Sequence, residues 1–175
     1  MDIVLYPDPV LRRGGKEVTV FDAALRETAA RMVEAMYGDD GCGLAAPQVG
    51  LELKLLVLNP TADPNDRSQE MVLVNPKVTQ RKGSEWEAEG CLSFPGIHAE
   101  VERYTRITVS YQDLDGKPQE LRAEGFLARV IQHEMDHLSG VLFVDRFSPA
   151  DKIRVRAQLE DLEARYRRQL AAPKA

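Results

Sequence analysis

The chain has 175 residues and a formal net charge of −5, with 43% hydrophobic and 29% charged residues. This length suits one domain with a single substantial core, and no apolar run approaches the roughly 20 residues that a membrane-spanning helix needs. The acidic charge argues against general DNA binding, and two cysteines are too few for a disulfide framework. We therefore expect a soluble, cytoplasmic protein whose N-terminus is not a signal peptide.

The first predicted helix is followed by a series of strands. Residues 22–37 carry apolar side chains at helical spacing, with Asp22 as the N-cap and Gly38 as the stop. A glycine-rich stretch at 38–50 can bring its backbone close to a ligand. Apolar alternation then predicts strands at 51–58, 71–75, 77–80, 85–93, 97–102, 107–111 and 119–123, with a break at Pro76. The middle of the chain is therefore predicted to be antiparallel β structure.

Two further helices are predicted at the C-terminal end. One runs from residue 124 or 125 to Gly140 and carries an apolar stripe that indicates burial. The other, within 149–175, begins after the N-cap Ser148 and contains seven Lys or Arg, Lys174 among them, against four acids. The expected fold is one α+β domain, 1–175, in which mainly antiparallel sheets pack around the central helix and the other helices flank them.

The central helix carries the sequence Gln-His-Glu-Met-Asp-His-Leu at 132–138. His133 and His137 lie four residues apart, so both imidazoles can bind one divalent ion, and Glu134 can accept a proton from a water on that ion. The pattern predicts a metal-dependent hydrolase. The same five residues can also arise by chance on a solvated helix.

The third metal ligand decides the chemistry of such a site. Gly140 fits the extended pattern of the metzincins, but that pattern requires a histidine where this chain has Phe143. The remaining candidates are His98, Cys42, Cys91 and a distant carboxylate. Cys91 follows a glycine and precedes a Pro-Gly turn, which suits a strand end with an exposed thiol. Ligation by its thiolate would favour zinc or ferrous iron.

Three stretches, at 41–50, 89–93 and 132–138, resemble in order and spacing the three signature motifs of the peptide deformylases. Residues 6–12 also resemble the start of that family. The resemblance implies a hydrolase that removes the N-formyl group from the initiator methionine of newly synthesised polypeptides and releases formate.

The resemblance also implies a role for each matching residue. It assigns one divalent metal ion, ferrous iron with zinc or nickel as possible substitutes, to Cys91, His133 and His137. It assigns acid/base catalysis to Glu134, oxyanion stabilisation to Gln48 and the backbone N–H of Leu92, and the approach of the substrate backbone to Gly43. An apolar pocket for the methionine side chain is expected at Phe126 and Val130.

Several expectations accompany this interpretation. The partners are N-formylmethionyl nascent peptides, with ribosome contact through the basic terminal helix as a further possibility. The same histidine motif also permits a general metallopeptidase or a metal-stabilised binding module without activity. Glu89 is expected to pair with Arg103 beneath the site, and Gln132 and Asp136 either orient ligands or face solvent. Cys42, His98 and Arg129 receive no firm role.

Overall fold

A computed structural model describes residues 1–171; Lys174, which contributes to the predicted basic tail, lies outside them. The helices are α1 (Ala23–Gly38), α2 (Gly125–Leu138), α3 (Pro149–Arg154) and α4 (Arg156–Ala171). The strands are β1 (Gly43–Ala45), β2 (Leu55–Leu58), β3 (Met71–Lys82), β4 (Glu85–Gly90), β5 (His98–Arg103), β6 (Arg106–Gln112) and β7 (Pro118–Glu124). None of these helices is long and apolar enough to cross a bilayer.

All the strands pair antiparallel, in two sheets. Five of them form one sheet in the order β1-β2-β3-β6-β7, and β4 and β5 form a separate hairpin. Residues 55 and 57 of β2 pack with α1, whereas residues 56 and 58 pack with α2. Because side chains alternate between the two faces of a strand, the five-stranded sheet lies between these two helices. The predicted α+β fold is thus confirmed.

Apolar side chains form one cluster on each face of the five-stranded sheet, and the hairpin of β4 and β5 contributes to a third cluster. Its members include Phe94, Ile97 and Val101 from the hairpin region and Phe143 and Val155 from the C-terminal part of the chain. The C-terminal helices therefore belong to the packed core and are not an appended tail.

The predicted break at Pro76 is wrong, because β3 runs through it as a bulge between Val74 and Lys77. Asn75 adopts a positive φ of 52° there, and its side chain accepts from the N–H of Val18 and donates to the Val18 carbonyl. A bulge accommodates a proline, which has no N–H for the ladder. The preceding strand is shorter than predicted and begins at Leu55, since Lys54 donates its N–H to Lys16 on a neighbouring segment.

The predicted single terminal helix is divided at Val155, which is fully buried. Its start is confirmed, because the hydroxyl of Ser148 accepts from the N–H of Asp151. Much of the positive charge on these helices is paired locally, in the ion pairs Arg154–Asp151, Arg156–Glu160 and Arg165–Asp161. The helices are therefore less strongly basic than a count of arginines indicates.

Candidate active site

Helix α2 holds its two histidines on one face. Its opposite-side apolar residues, such as Ile131, pack on the five-stranded sheet and fix the helix in place. The rings of His133 and His137 lie 5.1 Å apart between centroids, and both residues are buried. The predicted juxtaposition follows from the four-residue spacing on a helix.

Cys91 follows directly after β4 and meets these histidines. Its Sγ lies 3.3 Å from Nε2 of His137, and the ligand atoms of Cys91, His133 and His137 all lie within 4.8 Å of one another. Within residues 1–171, this is the one group of three or more potential ligands that converges in this way. Of the candidates for a third ligand, Cys91 is therefore the residue that the fold brings to the pair.

Two of the other candidates, Cys42 and His98, line the cleft beside these ligands. Cys42 packs against the core beside α2, and burial together with the charge of Glu134 raises the pKa of its thiol to about 11. His98 begins β5 opposite Gly90 and is exposed. Cys42 is not in the group of converging ligand atoms, so it forms part of the cleft wall.

The carboxylate of Glu89 orients His133. It accepts four hydrogen bonds: from Nε and Nη2 of Arg103 at 2.8 and 3.0 Å, from Nη1 of Arg129 at 2.9 Å, and from Nδ1 of His133 at 2.9 Å. Burial alone would raise the pKa of Glu89, but the bonds from His133 and Arg103 lower it to about 2. Because an ionised carboxylate only accepts, Nδ1 of His133 carries the proton and Nε2 is left free to ligate.

The donor set fits a divalent cation. One thiol and two imidazoles supply three ligands, and a fourth position remains for water or substrate. Burial holds the pKa of His137 well below its ordinary value, so its ring is neutral. Burial also lowers the pKa of His133, but Cys91 and Glu89 raise it more, to well above the ordinary value, so a cation bound at Nε2 would take the place of a ring proton.

Glu134 lies beside the cluster and is itself buried. Within the described chain its Oε2 has no hydrogen-bond partner, and burial raises the pKa of its carboxyl to about 7. A Cβ at Gly43 would lie 2.6 Å from Oε1 of Glu134 and 2.9 Å from Cγ1 of Val130. Only glycine at this position leaves the carboxylate its space, so the glycine-rich stretch and the central helix are matched in shape.

Gln48 is fixed at both ends of its side-chain amide. Its Oε1 accepts from the N–H of Ala45 at 2.8 Å, and its Nε2 lies 3.3 Å from Oγ of Ser93 and 3.6 Å from Sγ of Cys91. The amide N–H groups are thereby aimed at the cluster. No role was predicted for Ser93, although its position in the second motif, two residues after Cys91, indicated that it lies near the site. Leu92, whose backbone N–H adjoins Cys91, is half-buried in the cleft wall.

The cleft has a volume of about 520 Å³, and two of the three potential ligands, Cys91 and His133, line it together with Glu134. Phe126 stands at its rim with 54% of its surface exposed, whereas Val130 is buried beside Gly43. A larger depression of about 700 Å³ lies along α1 and includes none of the three potential ligands. The candidate site is therefore identified by the chemistry of the residues that line the cleft, and not by the volume of the cleft.

Some residues have roles that sequence reasoning missed. Arg129 is a buried partner of Glu89, and its position four residues before His133 on an apolar helix was a signal. Phe143 packs edge-on against the His133 ring at 5.8 Å between centroids. The side chain of Gln132 accepts from the backbone N–H of Tyr104 and donates to its carbonyl. Gln132 therefore holds the backbone after β5 and does not orient a metal ligand.

Comparison with known proteins identifies the family. Residues 1–153 match the family model for polypeptide deformylase. A peptide deformylase of Thermotoga maritima is 44% identical over 167 residues, covering 95% of this chain and 98% of the relative. The chloroplastic/mitochondrial peptide deformylase 1B of Arabidopsis thaliana is 43% identical over 176 residues; the match covers 99% of this chain and 63% of that relative.

Solved structures agree with the sequence matches. A crystal structure of Arabidopsis thaliana peptide deformylase 1B in complex with an inhibitor has a TM-score of 0.93 at 42% identity, covering 99% of this chain and 96% of the other. The Thermotoga maritima structure has a TM-score of 0.78 at 46% identity, covering 84% and 97%. The chain therefore belongs to the polypeptide deformylase family, whose metal-dependent enzymes remove the formyl group from N-formylmethionyl peptides.

Proposed function

We propose that Cys91, His133 and His137 hold one divalent cation, at which this chain hydrolyses the formyl group of N-formylmethionyl peptides. The observation that carries the proposal is the convergence of these three ligands with the buried carboxylate of Glu134 and the fixed amide of Gln48. When bound, such a cation supplies Lewis acidity, which polarises the formyl oxygen and lowers the pKa of a water.

The remaining steps belong to side chains and backbone of this chain. Glu134 accepts a proton from the attacking water while the oxygen of that water adds to the formyl carbon. Nε2 of Gln48 and the N–H of Leu92 donate to the oxygen that becomes negative. Glu134 then passes its proton to the departing nitrogen, the C–N bond breaks, and formate and a free amino terminus are released. We also propose that the whole chain, 1–175, forms one catalytic domain.

The substrate side of the cleft is proposed to recognise methionine. Gly43 lets the peptide backbone approach closely, and Val130 with Phe126 offers apolar surface for the thioether side chain. The exposure of Phe126 supports a role at the pocket mouth, since a large exposed aromatic residue beside a cleft is available to a ligand.

Replacing Gly43 with alanine is expected to lower kcat/KM roughly 100-fold, because the new methyl group displaces the Glu134 carboxylate by a fraction of an ångström to one ångström. The variant should keep its metal content and its circular dichroism spectrum. Steady-state formate release, with metal analysis of the same preparation, measures both. Unchanged kinetics would show that the close approach has no role in catalysis.

The proposed reaction is tested by formate release from a formyl-methionyl peptide by the metal-loaded protein. The same peptide without its formyl group is the matched control. Release of formate from the first and no cleavage of the second supports deformylation. Cleavage of the unblocked peptide would instead support the general metallopeptidase, and no activity on either with metal bound would support a binding module.

Ferrous iron is the metal that we propose, with zinc or nickel able to replace it, since thiolate and imidazole ligands suit all three. Anaerobic purification followed by elemental analysis and an assay of each metal form tests this. Iron as the main metal and the highest turnover in the iron form are expected. A zinc-filled protein with full activity would contradict the choice of iron.

Contact with the ribosome through the terminal helices, and a location in the cytoplasm, are also proposed. Deleting everything after Ser148 would remove the buried Val155 and Leu162, so neutralising the exposed Arg167 and Arg168 is the cleaner test. Salt-sensitive co-sedimentation with ribosomes should weaken in the Arg167→Gln/Arg168→Gln variant.

Free cysteines in place of disulfides support a reducing compartment, which cell fractionation would test.

A further inference from the structure

A series of alternating charges connects His133 to the surface. Glu89, which accepts from His133, also accepts from Arg103, and the remaining Nη1 of Arg103 donates to Asp136. Both oxygens of Asp136 in turn accept from Arg146. Side-chain exposure rises along the series, from 3% at Arg103 through 13% at Asp136 to 42% at Arg146. The series therefore ends at a partly exposed residue, Arg146, which is distant in sequence from Glu89.

Asp136 lines a pocket that is separate from the cleft. The cleft is lined by residues 126, 129, 130, 133 and 134, whereas residues 132, 135, 136 and 139 line a separate polar pocket of about 230 Å³. Asp136 is three residues after His133, which puts it about 60° further round the helix, next to the face that carries the ligands. Its side-chain hydrogen bonds run to Arg103 and Arg146, and through Arg103 and Glu89 they connect it to His133.

The charges at Glu89 show what Asp136 contributes. Two buried guanidinium groups, those of Arg103 and Arg129, share the single carboxylate of Glu89. The partly exposed carboxylate of Glu87 also pairs with Arg129, and Asp136 occupies the Arg103 N–H group that Glu89 does not. Without Asp136, a buried N–H group of Arg103 would lose its acceptor, and among the described residues Glu89 would be the one carboxylate left to pair with Arg103.

We propose that Asp136, oriented by Arg146, is a positioning residue for the metal site. It fixes Arg103, Arg103 fixes Glu89, and Glu89 fixes the ring of His133 with Nε2 directed at the cation. The inference rests on the proposed metal site formed by Cys91, His133 and His137. Loss of partners that orient a ligand typically weakens metal affinity 10–100-fold, and for this more distant partner we expect roughly tenfold.

The test is the dissociation constant for Co²⁺, measured by competition with a chromophoric chelator, in the parent protein and in Asp136→Asn. The matched control is Asp145→Asn, at the residue next to Arg146. This change breaks the ion pair of Asp145 with Arg12, and Asp145 has no contact with Arg103. We expect weaker Co²⁺ binding and an altered thiolate-to-cobalt absorption band in Asp136→Asn. The control should bind Co²⁺ like the parent even if its melting temperature falls.

Equal affinity in Asp136→Asn and the parent would overturn the inference. If Asp136→Asn does not fold, Arg146→Gln decides, because that side chain is 42% exposed: weaker binding supports the inference and unchanged binding overturns it. A parent protein that binds no Co²⁺ through its thiolate would instead refute the proposed metal site itself. The two failures are therefore distinguishable.

Discussion

Replacing Glu134 with glutamine is expected to lower kcat about 10²–10⁴-fold while the metal stays bound, because that range is the usual contribution of a general acid/base. Glutamine keeps the size of the side chain in a space bounded by Gly43 and Val130. It cannot accept and return a proton. Since Glu134 lies beside the three ligands and is not one of them, metal content should be unaffected. Formate release under saturating substrate and elemental analysis measure the two quantities.

The control for this variant is Glu124→Gln, a change of the same kind at an exposed residue immediately before α2. It should behave like the parent. Loss of metal from Glu134→Gln would mean that the carboxylate is a ligand, and retention of full activity would mean that another group moves the proton. Either result would require a different mechanism.

A second large effect is expected at Glu89, where glutamine should lower the free energy of unfolding by about 3–5 kcal/mol. Removing this carboxylate charge leaves the buried cations Arg103 and Arg129 with too few acceptors, and an amide N–H group would face a guanidinium group. The proton on Nδ1 of His133 would also lose its charged acceptor. Metal affinity should therefore fall together with stability.

Chemical denaturation after metal removal by a chelator isolates the stability effect from ligand binding. Glu87→Gln is the matched control, since that residue is on the same strand, pairs with Arg129 and has a side chain that is 54% exposed. Its effect should stay below about 1 kcal/mol, as is usual for exposed ion pairs. Equal effects of the two variants would show that the charge of Glu89 does not hold the cluster together.

Features that depend on neighbouring residues were predicted well. The N-caps Asp22 and Ser148 accept from N–H groups three residues further on, so the chain needs no distant partner to form them. The histidine pair follows from helical spacing in the same way. The strands predicted at 107–111 and 119–123 are joined by a turn that also depends on neighbouring residues, because Asp113 accepts there from the N–H groups of Asp115 and Lys117.

Features that depend on distant contacts were not accessible to the same reasoning. The continuity of β3 depends on Asn75 and its bonds to Val18, and the division of the last helix depends on burial of Val155. The expected pair of Glu89 with Arg103 is confirmed, but the second arginine bound to Glu89, Arg129, comes from α2, 40 residues away, and was not predicted. Strand register and packing decide such contacts, and neither is encoded by a single segment.

The sequence by itself determined the fold class, the histidine pair with its glutamate, and, through three motifs, a resemblance to the peptide deformylases. Residue chemistry alone left the third ligand open among Cys42, Cys91, His98 and a carboxylate. Only the tertiary structure put Cys91 within 3.3 Å of His137, and only it connected His133 to Arg146 through buried charges. The physical reason is that local hydrogen bonds form within one segment, whereas a site is assembled by the packing of several.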